Sequence, residues 1–161
     1  MYTNIRGLKG KKTSLTAILQ ENDPHIFLLT ETQLRSNTGI TLKGYTFHGR
    51  KREGGVGGGV GICIRNDIRQ NIATHTSDRN IEVLWISVRR RNLPPVMIGV
   101  YYGKQETRTS KLEIEREMTL LKEEIIEMKN EGEILLAMDG NAKIGILGEE
   151  KSRNGKYLLH W

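Results

Sequence analysis

Hydrophobic residues at the start of the chain follow a strand, helix, strand pattern. Thr3 to Ile5 predicts the end of a strand, and apolar residues at helical spacing soon afterwards predict a helix capped by Thr13 or Ser14. Ile26 to Leu29 is an unbroken apolar run, which is typical of a strand buried on both faces. This strand brings Glu31 to its carboxyl end.

The middle of the chain is rich in predicted β-strands. Tyr45 to His48 predicts one strand, and Val60 to Arg65 alternates in the way expected of a strand with one buried face. Ile81 to Val88 and Val96 to Tyr102 predict two more strands. The polar, proline-containing residues between these two favour an antiparallel hairpin.

One long helix is predicted after Ser110, because apolar residues recur at spacings of three and four until Gly132 ends the pattern. The apolar stripe covers only about two heptads, which favours a helix packed on a sheet over a coiled coil. We expect its acidic residues to form the solvated face. Ile134 to Met138 then predicts a second buried strand, which ends in Asp139.

Composition narrows the class of protein. The 161 residues are 37% hydrophobic and 27% charged, which predicts one globular domain and excludes a wholly disordered chain. No apolar stretch approaches the roughly 18 residues of a membrane-spanning helix, so we expect no membrane partner. A single cysteine, Cys63, cannot form an internal disulfide; we expect it to pack as a small apolar residue in a nuclear or cytoplasmic protein.

The net charge of +6 is compatible with a polyanionic partner such as DNA. The predicted long helix is acidic, so the remainder of the chain is more basic than the total suggests. Six of the 18 glycines lie between Gly54 and Gly61, but they match neither a dinucleotide-binding fingerprint nor a P-loop. Arg50, Lys51 and Arg52 precede this glycine run and are candidates to lie on a phosphate backbone.

Two carboxylates follow predicted apolar strands. Glu31 follows the first, and Asp139 follows the second with Asn141 close behind. Such residues are either turn residues that end the strands or oxygen ligands for a hard cation, Mg²⁺ or Mn²⁺. Open α/β sheets collect ligands at strand ends, so we expect Glu31 and Asp139 to end neighbouring strands at one sheet edge.

Five ordered segments resemble a known family. They are Asn4-Ile5-Arg6-Gly7-Leu8, Leu29-Thr30-Glu31-Thr32-Gln33-Leu34, Gly58-Gly59-Val60, Val100-Tyr101-Tyr102-Gly103 and Met138-Asp139-Gly140-Asn141-Ala142. The chain resembles the endonuclease/exonuclease/phosphatase superfamily, and in particular the apurinic-endonuclease-like domain of non-LTR retrotransposons and the related craniofacial-development-protein-2-like sequences. The resemblance implies a four-layer α/β sandwich of the DNase I-like type and Mg²⁺-dependent hydrolysis of DNA phosphodiesters.

The resemblance also implies roles for individual residues. Glu31 would be the principal Mg²⁺ ligand, with Mn²⁺ as an alternative ion, and Asn4 would help organise the metal and phosphate site. Tyr102 would contact the scissile phosphate, with Tyr101 as the alternative because the doubled tyrosine leaves the register open. Asp139 would orient or activate the attacking water.

Asn141 would stabilise the transition state beside Asp139. We expect Asn4, Tyr102 and Asn141 to converge on the pocket that holds the two carboxylates.

The chain also departs from the family pattern. Arg6 stands where many members carry an acidic or amide residue, and the sequence ends at His160-Trp161 without the Ser-Asp-His-type segment. We therefore expect residues 1–161 to form a single partial domain, C-terminally truncated and inactive, with fusion to a reverse transcriptase in full-length relatives. The alternatives are a catalytically inactive basic nucleic-acid-binding module and a small-molecule phosphatase.

Overall fold

The computed structural model describes residues 1–36, 40–53, 57–105 and 109–141. These residues form two α-helices, eight β-strands and two short 3₁₀ turns, at Lys9–Lys11 and Arg69–Asn71. The helices and strands in chain order are β1 Tyr2–Asn4, α1 Lys12–Asn22, β2 Ile26–Thr30, β3 Tyr45–Arg50, β4 Val60–Arg65, β5 Ile72–Thr76, β6 Val83–Arg90, β7 Leu93–Tyr102, α2 Lys111–Glu131 and β8 Glu133–Asp139.

The strands form two mixed, four-stranded sheets. The first sheet has the order β1-β2-β4-β3, with β1 parallel to β2 and the other pairs antiparallel. The second sheet has the order β5-β6-β7-β8, with the predicted β6–β7 hairpin and β8 parallel to β7. Each sheet therefore contains one parallel pair of strands at one edge.

Three hydrophobic clusters separate four layers. One cluster joins α1 to the outer face of the first sheet through Leu15, Leu19 and Phe27. A second lies between the sheets and includes Leu28 and Val100. A third packs α2 on the outer face of the second sheet. The predicted four-layer α/β sandwich is confirmed, and none of the helices among the described residues is long and apolar enough to cross a membrane.

Helix α2 begins as the sequence predicts but buries more charge than expected. Ser110 and Glu113 form a reciprocal capping box, and the main-chain N–H of Gly132 bonds back to Met128. The prediction of a fully solvated acidic face is wrong, because Glu117 and Glu124 are buried against the second sheet. Glu117 accepts a hydrogen bond from Tyr101, which compensates part of the cost of burying a carboxylate.

Helix α1 and strand β4 also differ from the prediction. Helix α1 starts at Lys12 directly after a 3₁₀ turn, so Thr13 and Ser14 lie inside the helix and do not cap it. Strand β4 is buried on both faces, because α1 and β7 cover opposite sides of the first sheet; Cys63 is fully buried there, as expected.

Strand β5 was not predicted at all. His75 lies in it, and its Nε2 forms a hydrogen bond with Ser87 Oγ at 2.9 Å. Strand β8 is only partly buried because it pairs with a single strand, and Leu135 is exposed.

Candidate active site

The carboxyl ends of the two parallel strand pairs bring four candidate residues together. In the first sheet Asn4 ends β1 and Glu31 follows β2; in the second sheet Tyr102 ends β7 opposite Asp139, which ends β8. The prediction that Glu31 and Asp139 end neighbouring strands is wrong, since they belong to different sheets. They meet because the two sheets pack face to face with these ends on the same side.

Asn4 connects the two carboxylates directly. Its Nδ2 donates to Glu31 Oε1 at 3.0 Å and to Asp139 Oδ2 at 2.9 Å, so one amide joins residues of both sheets. The side-chain oxygen of Asn4 accepts from the main-chain N–H of Arg6 at 3.2 Å. All three polar side chains are partly buried.

Tyr102 is the tyrosine at this site, and Tyr101 is not. The Tyr102 hydroxyl donates to Glu31 Oε1 at 2.9 Å, whereas the Tyr101 hydroxyl points to the opposite face of β7 and donates to Glu117 at 2.9 Å. Burial raises the pKa of the Tyr102 phenol above its usual value, and the nearby Glu31 carboxylate raises it further. Tyr102 is therefore protonated at neutral pH and acts as a hydrogen-bond donor.

Asn141 is anchored beside Asp139. Its main-chain N–H donates to Asp139 Oδ1 at 3.2 Å, and its Nδ2 donates to the carbonyl oxygen of Gly103 at 2.6 Å. The N–H of Gly103 in turn donates to the carbonyl oxygen of Asp139 at 2.8 Å. The ends of β7 and β8 are thus locked together just beyond the last residue of each strand.

Three turns at the site place non-glycine residues in the left-handed region of φ. Arg6, Glu31 and Asn141 have φ values of 48°, 53° and 48°. Each such residue costs free energy that the surrounding structure must offset, and such residues cluster at functional sites. The strain coincides with the turns that follow Asn4, contain Glu31 and follow Asp139, which favours a functional role for this cluster.

A cleft of about 390 Å³ opens from Glu31 and Tyr102 towards the start of α2. Sequence reasoning missed several residues in its wall, among them the acidic Glu82 and Glu117 and the basic Lys104. Glu82 gave the only available signal, because it is a carboxylate within a predicted apolar strand. The polar residues that line the cleft include Gln33, Arg52, Asn80, Glu82, Lys104, Gln105 and Glu117.

The three basic residues before the glycine run have different surroundings. Arg50 donates to the carbonyl oxygens of Ser77 at 2.7 Å and Arg79 at 2.6 Å, which ties β3 to the second sheet. Arg52 lines the cleft and pairs with Glu82, whereas Lys51 is exposed. The structure brings only Arg52 of these three residues to the wall of the cleft.

The oxygen-rich cluster fits a hard divalent cation. Glu31 and Asp139 each present a carboxylate oxygen to the Asn4 amide, and Mg²⁺ binds proteins through few direct carboxylate ligands with several waters. Within the described part of the chain no group of three His, Cys, Asp or Glu side chains could hold a metal ion. Carboxylate oxygens are the ligands that Mg²⁺ and Mn²⁺ prefer, whereas zinc sites favour Cys and His side chains.

Comparison with known proteins decides the family. The profile of the Endonuclease/Exonuclease/phosphatase family matches residues 1–132, most of the chain. The chain belongs to this family. A curated relative, the RNA-directed DNA polymerase from the mobile element jockey of Drosophila funebris, is 26% identical over 102 residues. That match covers 63% of this chain and 11% of the jockey protein.

Solved structures of other proteins share the fold. The endonuclease domain of TRAS1, a telomere-specific non-LTR retrotransposon, matches with a TM-score of 0.67 at 16% identity, over 98% of this chain and 67% of that chain. The AP endonuclease LMAP from Leishmania major matches with a TM-score of 0.71 at 13% identity, over 99% of this chain and 63% of that chain. The DNase I-like fold expected for this family is therefore confirmed.

The three histidines among the described residues do not line the cleft. His25 and His48 belong to the first sheet region, and burial lowers the pKa of His48. His160 lies outside the described residues.

Proposed function

We propose that this chain belongs to a nuclease of retrotransposon type that hydrolyses DNA phosphodiester bonds with Mg²⁺, with Mn²⁺ as an alternative ion. The observation that carries the proposal is the hydrogen-bonded cluster of Asn4, Glu31, Tyr102 and Asp139. It unites carboxylate, amide and phenol groups at the ends of four strands, beside a cleft. The family assignment and the retrotransposon relatives agree with this function.

Each residue of the cluster has a separate task in the proposed reaction. The Tyr102 hydroxyl, which now donates to Glu31, turns its proton towards an oxygen of the scissile phosphate. Asp139 orients the attacking water and takes up its proton as the water oxygen bonds to phosphorus, because a carboxylate is a suitable acceptor within hydrogen-bond reach. The bond from phosphorus to the leaving sugar oxygen breaks, and that oxygen takes a proton from solvent. The Asn141 amide stabilises the negative charge that develops on phosphate oxygens. Asn4 holds the Asp139 and Glu31 carboxylates at fixed separation.

Glu31, supported by Asn4, is the residue proposed to bind the divalent ion. When bound, such an ion neutralises charge on the phosphate and stabilises the transition state. The left-handed conformation of Glu31 turns its side chain out of the register of β2. This places the carboxylate within reach of the ends of both sheets.

The proposed substrate is DNA, and Lys51 is the proposed contact with its phosphate backbone. Lys51 is exposed and directly precedes Arg52, which lines the cleft. Neutralising one phosphate contributes about one unit to the dependence of log affinity on log salt. Lys51→Met should reduce that slope by about one unit. An unchanged slope would remove Lys51 from the interface.

A plasmid-nicking assay tests the catalytic proposal. Nicking of supercoiled plasmid by the wild-type chain in Mg²⁺ would support the proposed reaction and overturn the inactivity expected from the sequence, and Glu31→Gln should reduce such nicking by at least about 100-fold. Glu21→Gln, which changes an exposed glutamate of α1, is the matched control and should leave the rate unchanged. Nicking by Glu31→Gln at the wild-type rate would refute the assigned role.

The same assay separates the alternative functions. Salt-dependent DNA binding without nicking by the wild-type chain would favour a nucleic-acid-binding module, and the inactivity expected from the sequence would then hold. Hydrolysis of an inositol phosphate or similar monoester without action on DNA would favour a small-molecule phosphatase. We further propose a nuclear or cytoplasmic location. The jockey relative is an RNA-directed DNA polymerase, which agrees with fusion of this kind of domain to a reverse transcriptase in full-length relatives.

A further inference from the structure

Glu82 joins the segment after β3 to the second sheet. It directly precedes β6, and its side chain is only 10% exposed. One carboxylate oxygen accepts from Arg52 Nε and the other from the main-chain N–H of Gly59. Both donors come from the segment that connects β3 to β4, so a single carboxylate fixes that segment against β6.

Arg52 extends this connection to the proposed catalytic tyrosine. Its guanidinium carbon lies 5.4 Å from the centre of the Tyr102 ring. The main-chain N–H of Tyr102 also donates to the carbonyl oxygen of Glu82 at 3.0 Å. The contacts therefore run from Glu82 to Arg52, from Arg52 to the Tyr102 ring, and from the Tyr102 hydroxyl to Glu31.

Gly58 leaves the space that this arrangement requires. A Cβ atom at Gly58 would lie 2.6 Å from the guanidinium carbon of Arg52 and 2.6 Å from Glu82 Oε2. Both side chains are held by their mutual ion pair, so neither can move away without breaking it. The packing of Arg52 against Glu82 thus accounts for at least one residue of the glycine run.

A cation over an aromatic ring is attracted to the negative face of the ring, most strongly when water is partly excluded. Arg52 is 23% exposed at its side chain, so this interaction is partly shielded from water. The attraction restrains rotation of the Tyr102 ring.

We propose that Arg52, held in place by Glu82, is a positioning residue that fixes the Tyr102 ring so that its hydroxyl meets the scissile phosphate. This inference rests on the proposed function of the site. It assigns Arg52 to the orientation of Tyr102 and not to a phosphate of the DNA backbone. The two roles have different kinetic consequences, because loss of orientation lowers kcat and loss of a backbone contact lowers affinity.

The first readout requires neither metal nor DNA. Protein labelled with ¹³C at the tyrosine Cζ atoms gives one NMR signal for each tyrosine, and Tyr102→Phe assigns the signal of Tyr102. In Arg52→Met this signal should shift and broaden, while the signals of the other tyrosines stay in place. Glu82→Gln removes the ionic partner of Arg52 but leaves Arg52 in place, and it should also shift the Tyr102 signal.

Arg79→Met is the matched control. Arg79 is a partly exposed arginine that pairs with the buried Glu124 at 2.8 Å, outside the cleft. Its replacement should lower the melting temperature without moving the Tyr102 signal. Arg52→Lys restores a cation and should return the signal part of the way to its wild-type position.

The second readout is DNA nicking under Mg²⁺. Arg52→Met should lower kcat by about 10-fold or more with less than a twofold change in KM and no change in the salt dependence of binding. An unmoved Tyr102 signal in both Arg52→Met and Glu82→Gln would overturn the inference. A loss of DNA affinity and salt slope with kcat unchanged would also overturn it, because Arg52 would then be a backbone contact.

The two proposals fail in different ways. If the wild-type chain does not nick DNA but the Tyr102 signal moves in both variants, Arg52 positions Tyr102 and the proposed catalytic function is wrong. If the wild-type chain nicks DNA and the signal does not move, the catalytic function holds and the positioning role is wrong.

Discussion

Replacing Asn4 by alanine removes the only side chain that joins the two carboxylates of the cluster within the described structure. Its Nδ2 donates to Glu31 Oε1 and to Asp139 Oδ2. Since both oxygens lie within 3.0 Å of one nitrogen, they are less than about 6 Å apart. In Asn4→Ala the two negative charges would face each other across the sheets with no donor between them.

The size of the effect follows from this geometry. Two unit charges about 6 Å apart at an effective dielectric constant of about 20 repel by about 3 kcal/mol. This repulsion is present in the wild type too, and solvent reduces it because the cluster is partly exposed; Asn4→Ala removes the two charge-assisted hydrogen bonds that offset it. We expect Asn4→Ala to lower the free energy of unfolding by about 1–2 kcal/mol in metal-free buffer, or the melting temperature by roughly 3–6 °C.

A double-mutant cycle with Asp139→Asn isolates the electrostatic part. With Asp139 neutral, one of the two charges is gone, so the cost of Asn4→Ala should fall by at least about half. Thermal unfolding in EDTA measures all four proteins. Asn22→Ala is the control, because Asn22 also donates through Nδ2, but to the Ile18 carbonyl on exposed helix α1. If the loss of stability in the double variant equals the sum of the losses in the two single variants, the proposed coupling is refuted.

Three further predictions concern stability and reactivity. Burial raises the pKa of Glu117, so its protonated carboxyl stabilises the fold at acid pH and this contribution is lost as the pH rises through the folded-state pKa. Glu117→Gln should therefore have a higher melting temperature than the wild type near pH 8, and the difference should vanish near pH 4. Burial raises the pKa of Cys63 to about 12, so iodoacetamide at pH 8 should alkylate it only in denaturant, and rapid labelling of the native chain would contradict its burial. Gly59→Ala should lower the melting temperature more than Gly57→Ala: both glycines have positive φ, but only at Gly59 would the new Cβ lie 2.6 Å from Thr32 Oγ1.

The sequence indicated two candidate carboxylates at strand ends but not how they come together. Glu31 and Asp139 each follow an apolar strand, and that local signal needs no knowledge of the sheets. Their assignment to neighbouring strands failed because pairing is set by contacts far apart in sequence. Strand β2, which precedes Glu31, pairs with β1, whereas β8, which ends in Asp139, pairs with β7. The two carboxylates therefore lie at the ends of strands in different sheets.

The doubled tyrosine shows a second limit of sequence reasoning. Successive residues of a strand face opposite sides, so one of Tyr101 and Tyr102 must point between the sheets and the other towards a helix. Which one does so depends on where α2 packs. Helix α2 packs against the face of β7 that carries Tyr101, and Glu117 accepts a hydrogen bond from the Tyr101 hydroxyl. This contact explains why a glutamate is buried on a helix whose acidic residues were expected to be exposed.

The packing between the sheets controls the geometry of the site. Asn4 and Glu31 extend from the first sheet, whereas Tyr102 and Asp139 extend from the second, and the apolar cluster that includes Leu28 and Val100 sets the distance between them. Protein interiors are close-packed, so a change of core volume there shifts one sheet against the other. Misplacement by about 1 Å is enough to reduce catalysis strongly. Substitutions in this buried cluster should therefore impair the proposed reaction even though none of its aliphatic side chains takes part in the chemistry.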